Sequence, residues 1–132
     1  MRKIWIVGLF LAILALDQIV KWWVINYQPS FVLTNNNFFG LVGNNSFSLL
    51  LSILAIVILL LTMVKEHQNF LLMAIIFAGA LSNIADRIFR GGVVDYFQFF
   101  YWSINLADLA IILGICFYVY KIVTSGQRPA GN

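Results

Sequence analysis

The sequence predicts an all-α membrane protein: four transmembrane helices, with a short extracytoplasmic loop or β-like segment after the first and a re-entrant or interfacial segment between the third and fourth. Three observations lead there. Of 132 residues, 62% are hydrophobic and 10% charged, and the mean hydropathy is +0.93, far above the roughly 45–50% apolar content of soluble domains. Four long apolar runs are divided by short polar or turn-rich breaks. At about 1.5 Å per helical residue, a hydrocarbon core of about 30 Å takes about 20 residues per crossing. Residues 1–132 therefore hold the four spans and their connections as a single integral membrane domain.

The first span runs from about Ile4 to Val24 behind Arg2 and Lys3. Its start looks like a secretory signal, but no Ala-x-Ala cleavage site follows, and Asp17, Gln18 and Lys21 lead instead into Trp22, Trp23 and Tyr27, an aromatic cluster of headgroup-level type. It is expected to remain as an uncleaved helix. From Asn26 to Ser46 turn formers dominate (Pro29, Asn35-Asn36-Asn37, Gly40, Gly43) with Phe31, Phe38 and Phe39 between them, which reads as an extramembrane segment with an apolar side. The second span, Phe47 to Val64, carries no charge and ends in the short connection Lys65 to Asn69. The third, Phe70 to about Arg90, stops at Gly91-Gly92, the residues that terminate helices. Val93 to Trp102 is crowded with Val, Tyr, Phe and Trp and suits an extended or re-entrant piece at the interface. The last span, Ile104 to about Val123, precedes a polar tail.

Charge placement sets topology rather than a partner. Eight Lys and Arg against five acids give a net charge of +3, scattered instead of gathered into the basic stripe of nucleic-acid binders, so no nucleic acid is expected. Arg2, Lys3, Lys65, Lys121 and Arg128 fall on one side, Lys21, Arg87 and Arg90 on the other, which places both termini in the cytoplasm. The single cysteine, Cys116, sits in an apolar run and excludes a disulfide framework or thiolate metal site. The single histidine, His67, lies in the cytoplasmic connection, and there is no HExxH helix, GxxxxGK[ST] loop or GxGxxG turn. Ser/His hydrolysis, zinc proteolysis and nucleotide binding have no support.

The polar residues inside spans carry the remaining information, because an ionisable group at the bilayer centre costs at least about 2.5–3.5 kcal/mol and needs a partner or a task. Asp17 and Lys21 share a helix face as an i, i+4 pair, read as structural. Asn83, Asp86 and Arg87 form a polar stripe, with Asp86 and Arg90 a further i, i+4 pair. Ala74, Ala78 and Ser82, beside Gly79, are small enough to draw that stripe against another helix. Asp95 follows the helix-ending glycines, and Asp108 stands three residues after Asn105 on one face; neither has a basic neighbour in sequence. If the segment from Val93 to Ser103 folds back, both carboxyls reach one depth. Two acids in a poorly solvated site share a proton, the arrangement in which one activates water as base and the other acts as acid. Spacing alone leaves this open against two acids that merely face water. A serine activated by Lys21, Ser30 or Ser103, is a further hydrolytic option. From another class, the intramembrane acids suit a relay in a small proton- or solute-transporting helical bundle, and a scaffold whose acids only pair helices is a third reading.

Three blocks in order make the chain resemble the bacterial lipoprotein signal peptidase (signal peptidase II) family: Asp17-Gln18 with Lys21, then Gly79 to Arg87 followed by Val93-Val94-Asp95-Tyr96-Phe97, and Asn105-Leu106-Ala107-Asp108. The resemblance implies an aspartyl endopeptidase that removes signal peptides from diacylglyceryl-modified prolipoproteins, with Asp95 and Asp108 as the catalytic pair. It also implies that Asn83, Arg87 and Asn105 line or brace the site and that Asp86 supports it. No metal or organic cofactor is implied. The partners would be lipid-modified prolipoprotein signal peptides and membrane lipids. The site would face outward in the bacterial cytoplasmic membrane. The chain departs from the family in its first outer loop, Asn35 to Gly40, so either Asn35 or Asn36 would meet substrate and Phe38 and Phe39 would form a lid. A second departure is Ser82, where the family usually has glycine, a change expected to narrow the site or alter substrate preference.

Overall fold

The computed structural model describes residues 2–29, 33–35, 45–65, 69–100 and 102–125. Among the described residues there are four helices: α1 (Arg2–Tyr27), α2 (Asn45–Lys65), α3 (Phe70–Phe89) and α4 (Leu106–Ser125). Helix α1 runs three residues past its expected end, since nothing before Pro29 breaks it and the Gln28 amide still reaches the Val24 carbonyl at 2.9 Å. Helices α1, α3 and α4 are long and apolar enough to cross a membrane, and α2 contributes the shorter apolar stretch Ser46–Thr62. The apolar side chains face outward: Ile4, Trp5, Leu16, Leu61, Phe117 and Tyr120 are all more than half exposed, while Asp17, Lys21, Ser82, Asp86 and Asn105 are wholly buried. A soluble protein would not expose so much apolar surface; in lipid this inside-out pattern is the stable one.

Helix α3 is the centre of the bundle, packed against all three others. Its small face makes this possible. Ala78 and, across the contact, Ala107 are fully buried, and a Cβ at Gly79 would run into the Ala107 carbonyl oxygen and lie 2.9 Å from Ile111 Cγ1. The expected close approach is therefore an α3–α4 contact. Helix α3 ends where Gly91 takes φ +79°, a left-handed conformation that glycine adopts without strain.

Extended pieces fill the breaks. β1 (Leu33–Asn35) pairs antiparallel with β2 (Val93–Asp95), Leu33 opposite Asp95 and Asn35 opposite Val93. β3 (Phe97–Phe99) and β4 (Trp102–Ile104) form a hairpin with Phe97 opposite Ile104. The sequence placed Ile104 in the last helix; it is instead the end of β4, and the helix begins two residues later. Through this hairpin and the bond from the Tyr96 amide to the Ile104 carbonyl at 3.3 Å, the short link from Asp95 to Asp108 doubles back, which returns Asn105 beside Asp95. The connection containing His67 lies outside the described residues.

The close contact gives a direct expectation. Gly79→Ala should destabilise the protein by about 1–3 kcal/mol, because the helices must separate, whereas Gly8→Ala, with open space around it, should be neutral or slightly stabilising. Thermal melts in detergent decide it, and equal melting points for Gly79→Ala and wild type would show that α4 is free to shift.

Candidate active site

Two groups of polar residues meet at one end of α1, α3 and α4. The first is built on Lys21, whose ammonium lies 2.6 Å from Asp17 Oδ2 and 2.7 Å from Asp86 Oδ2, and donates to Asn83 Oδ1 at 3.2 Å. Its three N–H donors thus have three acceptors. Asp86 also pairs with Arg90 and accepts from Gln18 Nε2 at 3.1 Å and from the Val94 amide at 3.1 Å, which ties β2 to α3. Asp17 is saturated: Ser82 Oγ donates to Oδ2 at 2.7 Å, while the Ala107 amide at 3.0 Å and the Tyr96 hydroxyl at 3.2 Å donate to Oδ1. Burial, with Asp17 nearby, holds the Tyr96 phenol well above its ordinary pKa, so it remains a donor. The Asp17–Lys21 and Asp86–Arg90 pairs are present as the spacing suggested, and a cross-helix bridge from Lys21 to Asp86 joins them.

The second group is Asp95, Asp108 and two asparagines. Asn105 Nδ2 donates to Asp95 Oδ1 at 2.8 Å, and Asn83 Nδ2 donates to Asp108 Oδ1 at 2.7 Å. The asparagines also meet each other, Asn105 Nδ2 to Asn83 Oδ1 at 3.2 Å. Because Lys21 occupies the oxygen of Asn83, the amide nitrogen of Asn83 must face Asp108. Ser103 Oγ completes Asp95, donating to Oδ2 at 3.1 Å. Asn105 and Asp108 form a reciprocal cap at the start of α4, each backbone amide donating to the other's side chain, at 3.2 and 2.9 Å. Among the described residues neither Asp95 nor Asp108 belongs to a salt bridge. Arg87 donates to the Asn83 carbonyl at 3.3 Å and stands within electrostatic reach of Asp108, Asp95 and Asp86.

Asp95 is only 2% exposed, so it does not merely face water. Its burial, together with the charge of Asp108, raises its pKa to about 6 despite the hydrogen bonds from Asn105 and Ser103 that favour the ion. The two groups thus contrast chemically. Asp17 and Asp86 touch cations; Asp95 and Asp108 are met by neutral donors, and Asp95 retains affinity for a proton.

The site residues singled out from sequence whose side chains are described converge here: Asp17, Lys21, Asn83, Asp86, Arg87, Asp95, Asn105 and Asp108. Asn35 ends β1, where its backbone pairs with Val93; its side chain, like Asn36 and Phe39, lies outside the described residues. Gln18, Ser103 and Tyr96 were absent from the expected site. Gln18, a polar residue inside an apolar helix, carried a signal; Ser103 was considered only as a nucleophile for Lys21, and Tyr96 read as an ordinary interface residue. Ser82 spans α1 and α3 by donating to Asp17 and accepting from Gln18 at 2.8 Å, which makes it a brace. The Ser/Lys option loses its basis, because Lys21 is saturated and Ser103 serves Asp95; Ser30 is outside the described residues.

The sequence profile described as signal peptidase (SPase) II matches residues 9–124. The chain belongs to the signal peptidase II family. Similar relatives include the lipoprotein signal peptidase of Syntrophomonas wolfei, 31% identical with 95% of this chain and 97% of the relative covered. That of Moorella thermoacetica is also 31% identical, with 94% and 93% covered. A bacterial membrane enzyme solved by the in meso method at 2.3 Å superposes with a TM-score of 0.79 at 21% identity, over 96% of this chain and 93% of that one, a likeness of fold.

The ion cluster predicts its own fragility. Lys21→Met would leave two fully buried carboxylates short of a cation and should cost roughly 3–5 kcal/mol. A melting temperature within a degree or two of wild type would show that Arg90 and the neutral donors suffice for Asp86 and Asp17.

Proposed function

We propose that this signal peptidase II family member is an aspartic endopeptidase that cleaves signal peptides from diacylglyceryl-modified prolipoproteins by activating water between Asp95 and Asp108. The observation that carries the reading is the pairing of these two acids, one to Asn105 and the other to Asn83, with neutral donors only. Such a pair holds one proton between its members. The ionised carboxylate takes a proton from water as the oxygen attacks the scissile carbonyl; its protonated partner hydrogen-bonds the carbonyl oxygen and then delivers its proton to the leaving amide nitrogen. Atoms and charge balance without a further reactant. Asn83, Asn105 and Arg87 keep the acids oriented, while Asp17, Lys21 and Asp86 fix the helices.

The site's place supports lateral entry. It lies at the end of α1 that carries Trp22, Trp23 and Tyr27, an aromatic belt at headgroup level. With both termini cytoplasmic, this end faces outward, and acyl chains of the substrate stay among membrane lipids while the peptide reaches the acids. Asn35 or Asn36 would hold the peptide backbone, with Phe39 covering it. Gathering of Asp17, Asp86, Asp95 and Asp108 in one network, rather than at successive depths, disfavours a proton relay across the membrane.

Cleavage of a diacylglyceryl-modified prolipoprotein by the purified protein tests the reading. Asp95→Asn and Asp108→Asn should each lower kcat by at least a thousandfold in folded protein, and activity surviving either change would refute the paired mechanism. In wild type, kcat/KM should fall as pH rises through about 6, where Asp95 loses its proton.

Stability should carry a mark of the same group, in the same direction with pH. The folded-state pKa of Asp95 lies above its ordinary 3.8, so its contribution is fully present below the ordinary value and is lost as pH rises through about 6. That loss is worth up to roughly 2–3 kcal/mol. Asp95→Asn should therefore melt at a higher temperature than wild type at pH 7.5, with the difference shrinking toward pH 4. A variant less stable than wild type at pH 7.5 would contradict the cost assigned to the buried carboxylate.

A further inference from the structure

Asn105 stands immediately before α4 and Asp108 lies in its first turn, and the four amides from Asn105 to Asp108 that lack a helical partner are all occupied by side chains. The Asn105 amide donates to Asp108 Oδ2 and the Asp108 amide to Asn105 Oδ1. Between them, the Ala107 amide donates to Asp17 Oδ1 and the Leu106 amide donates to the hydroxyl of Tyr96 at 3.0 Å. The first intrahelical bond, Leu109 N to Asn105 O at 3.2 Å, follows directly. Helix starts leave four such donors to find outside partners. Here two of the partners are the reciprocal pair of Asn105, just before α4, and Asp108, one comes from α1, and one comes from the residue that follows Asp95.

Tyr96 occupies a junction. Its hydroxyl accepts from Leu106 and donates to Asp17, so one oxygen ties α4 to the Asp17–Lys21 cluster while its backbone continues from Asp95. We propose that Tyr96 is a positioning residue for the peptidase, holding Asn105 and Asp108 in register with Asp95 through the first turn of α4. This rests on the aspartic-peptidase reading above. The hydroxyl is turned to the protein and touches neither acid, so its effect reaches the chemistry through the helix start. Without it, the Leu106 amide has no acceptor; the turn then shifts or water enters. Asn105, which holds Asp95, and Asp108 move together, and reacting groups displaced by even about 1 Å lose up to about a hundredfold in rate.

The ring has a separate task. It lines a groove of about 320 Å³ with Val20, Trp23, Val24, Gln28 and Phe97, and packs on the Phe97 ring with centroids 4.8 Å apart. Phenylalanine preserves that packing, so Tyr96→Phe removes only the oxygen.

The experiment is steady-state cleavage of a diacylglyceryl-modified prolipoprotein by wild type and Tyr96→Phe over pH 4–9, each normalised to its folded, monodisperse fraction with melting temperatures measured alongside. Positioning predicts that kcat falls roughly tenfold with KM within about twofold. It also predicts that the alkaline limb of kcat/KM moves to lower pH, since Asp95 faces Asp108 from α4, Arg87 from α3 and Lys21 from α1 and a loosened turn lets water between the acids. A purely structural role predicts a lower melting temperature with kcat per folded molecule and the pH limb unchanged, and that result overturns the proposal. If Tyr96→Phe yields no folded protein, Leu106→Pro serves instead: proline suits the first helical position and removes the amide while leaving the tyrosine. The same loss of kcat is expected there, and full activity overturns the proposal. Wild type is the internal control, because its failure to cleave would count against the peptidase reading itself, whereas equal cleavage by wild type and variant counts only against Tyr96.

Discussion

The polar cluster shared by α1, α3 and α4 is arranged around one buried ammonium. Lys21 is wholly removed from solvent in a protein whose exterior is lipid-facing, and an uncompensated charge there would be prohibitive. Two carboxylates and one amide oxygen meet it, drawn from α1 and α3. Arg90, also on Asp86, brings the cluster to two cations and two anions. Satisfying Lys21 therefore sets the rotation of α3 against α1, and Asp17, held by Lys21, presents its other oxygen to the amide of Ala107. The start of α4 is positioned by a charge on α1 that it never touches.

The same ammonium reaches the proposed catalytic pair, Asp95 and Asp108, indirectly. By taking the oxygen of Asn83 it orients that amide so that the nitrogen meets Asp108. Asn105 is oriented in the same way from the other side, its oxygen taken by the Asp108 amide and its nitrogen left for Asp95. A buried polar network of this kind is stable only when every member is satisfied, and each of these two asparagines has a donor on its oxygen and an acceptor for its nitrogen. The four acids differ in what they touch rather than where they fall in the chain: cations meet Asp17 and Asp86, and neutral donors meet Asp95 and Asp108 and leave Asp95 able to keep a proton.

Much of this was legible before any coordinates. Composition and four apolar runs give the helices, because the bilayer thickness demands a length that sequence displays directly. The i, i+4 pairs and the small face of α3 were readable because helical periodicity converts spacing into shared faces. Gly91 announced the end of α3. What escaped were bonds between segments far apart in the chain, where no periodicity operates: Gln18 and Ser82 are 64 residues apart, and Tyr96 and Asp17 are 79 apart. Ser82 was expected to narrow the site or alter substrate preference, since a larger residue replaces the family's usual glycine; the bonds of its hydroxyl to Asp17 and Gln18 were not legible from that change. The start of α4 was misjudged by two residues because Ile104 is as good in a helix of apolar residues as in a strand, and only its pairing with Phe97 decides.

The hairpin between Asp95 and Asn105 explains why so few residues suffice to bring two acids together. A helix amide row that opens onto a site would attract negative charge and favour ionised carboxylates. In this chain the row is already closed by Asp17, Tyr96, Asn105 and Asp108, so its field is largely spent on atoms that are part of the fold. Asp95 stands beyond that row, on a strand anchored to α3 through the Val94 amide and Asp86, and receives one amide proton and one hydroxyl proton. A peptide bond is hydrolysed by a carboxyl pair only if one member remains protonated while the other is a base. The division between acids saturated by cations and acids sparingly served by neutral donors is what allows the proposed pair to coexist with the structural one within a single polar cluster.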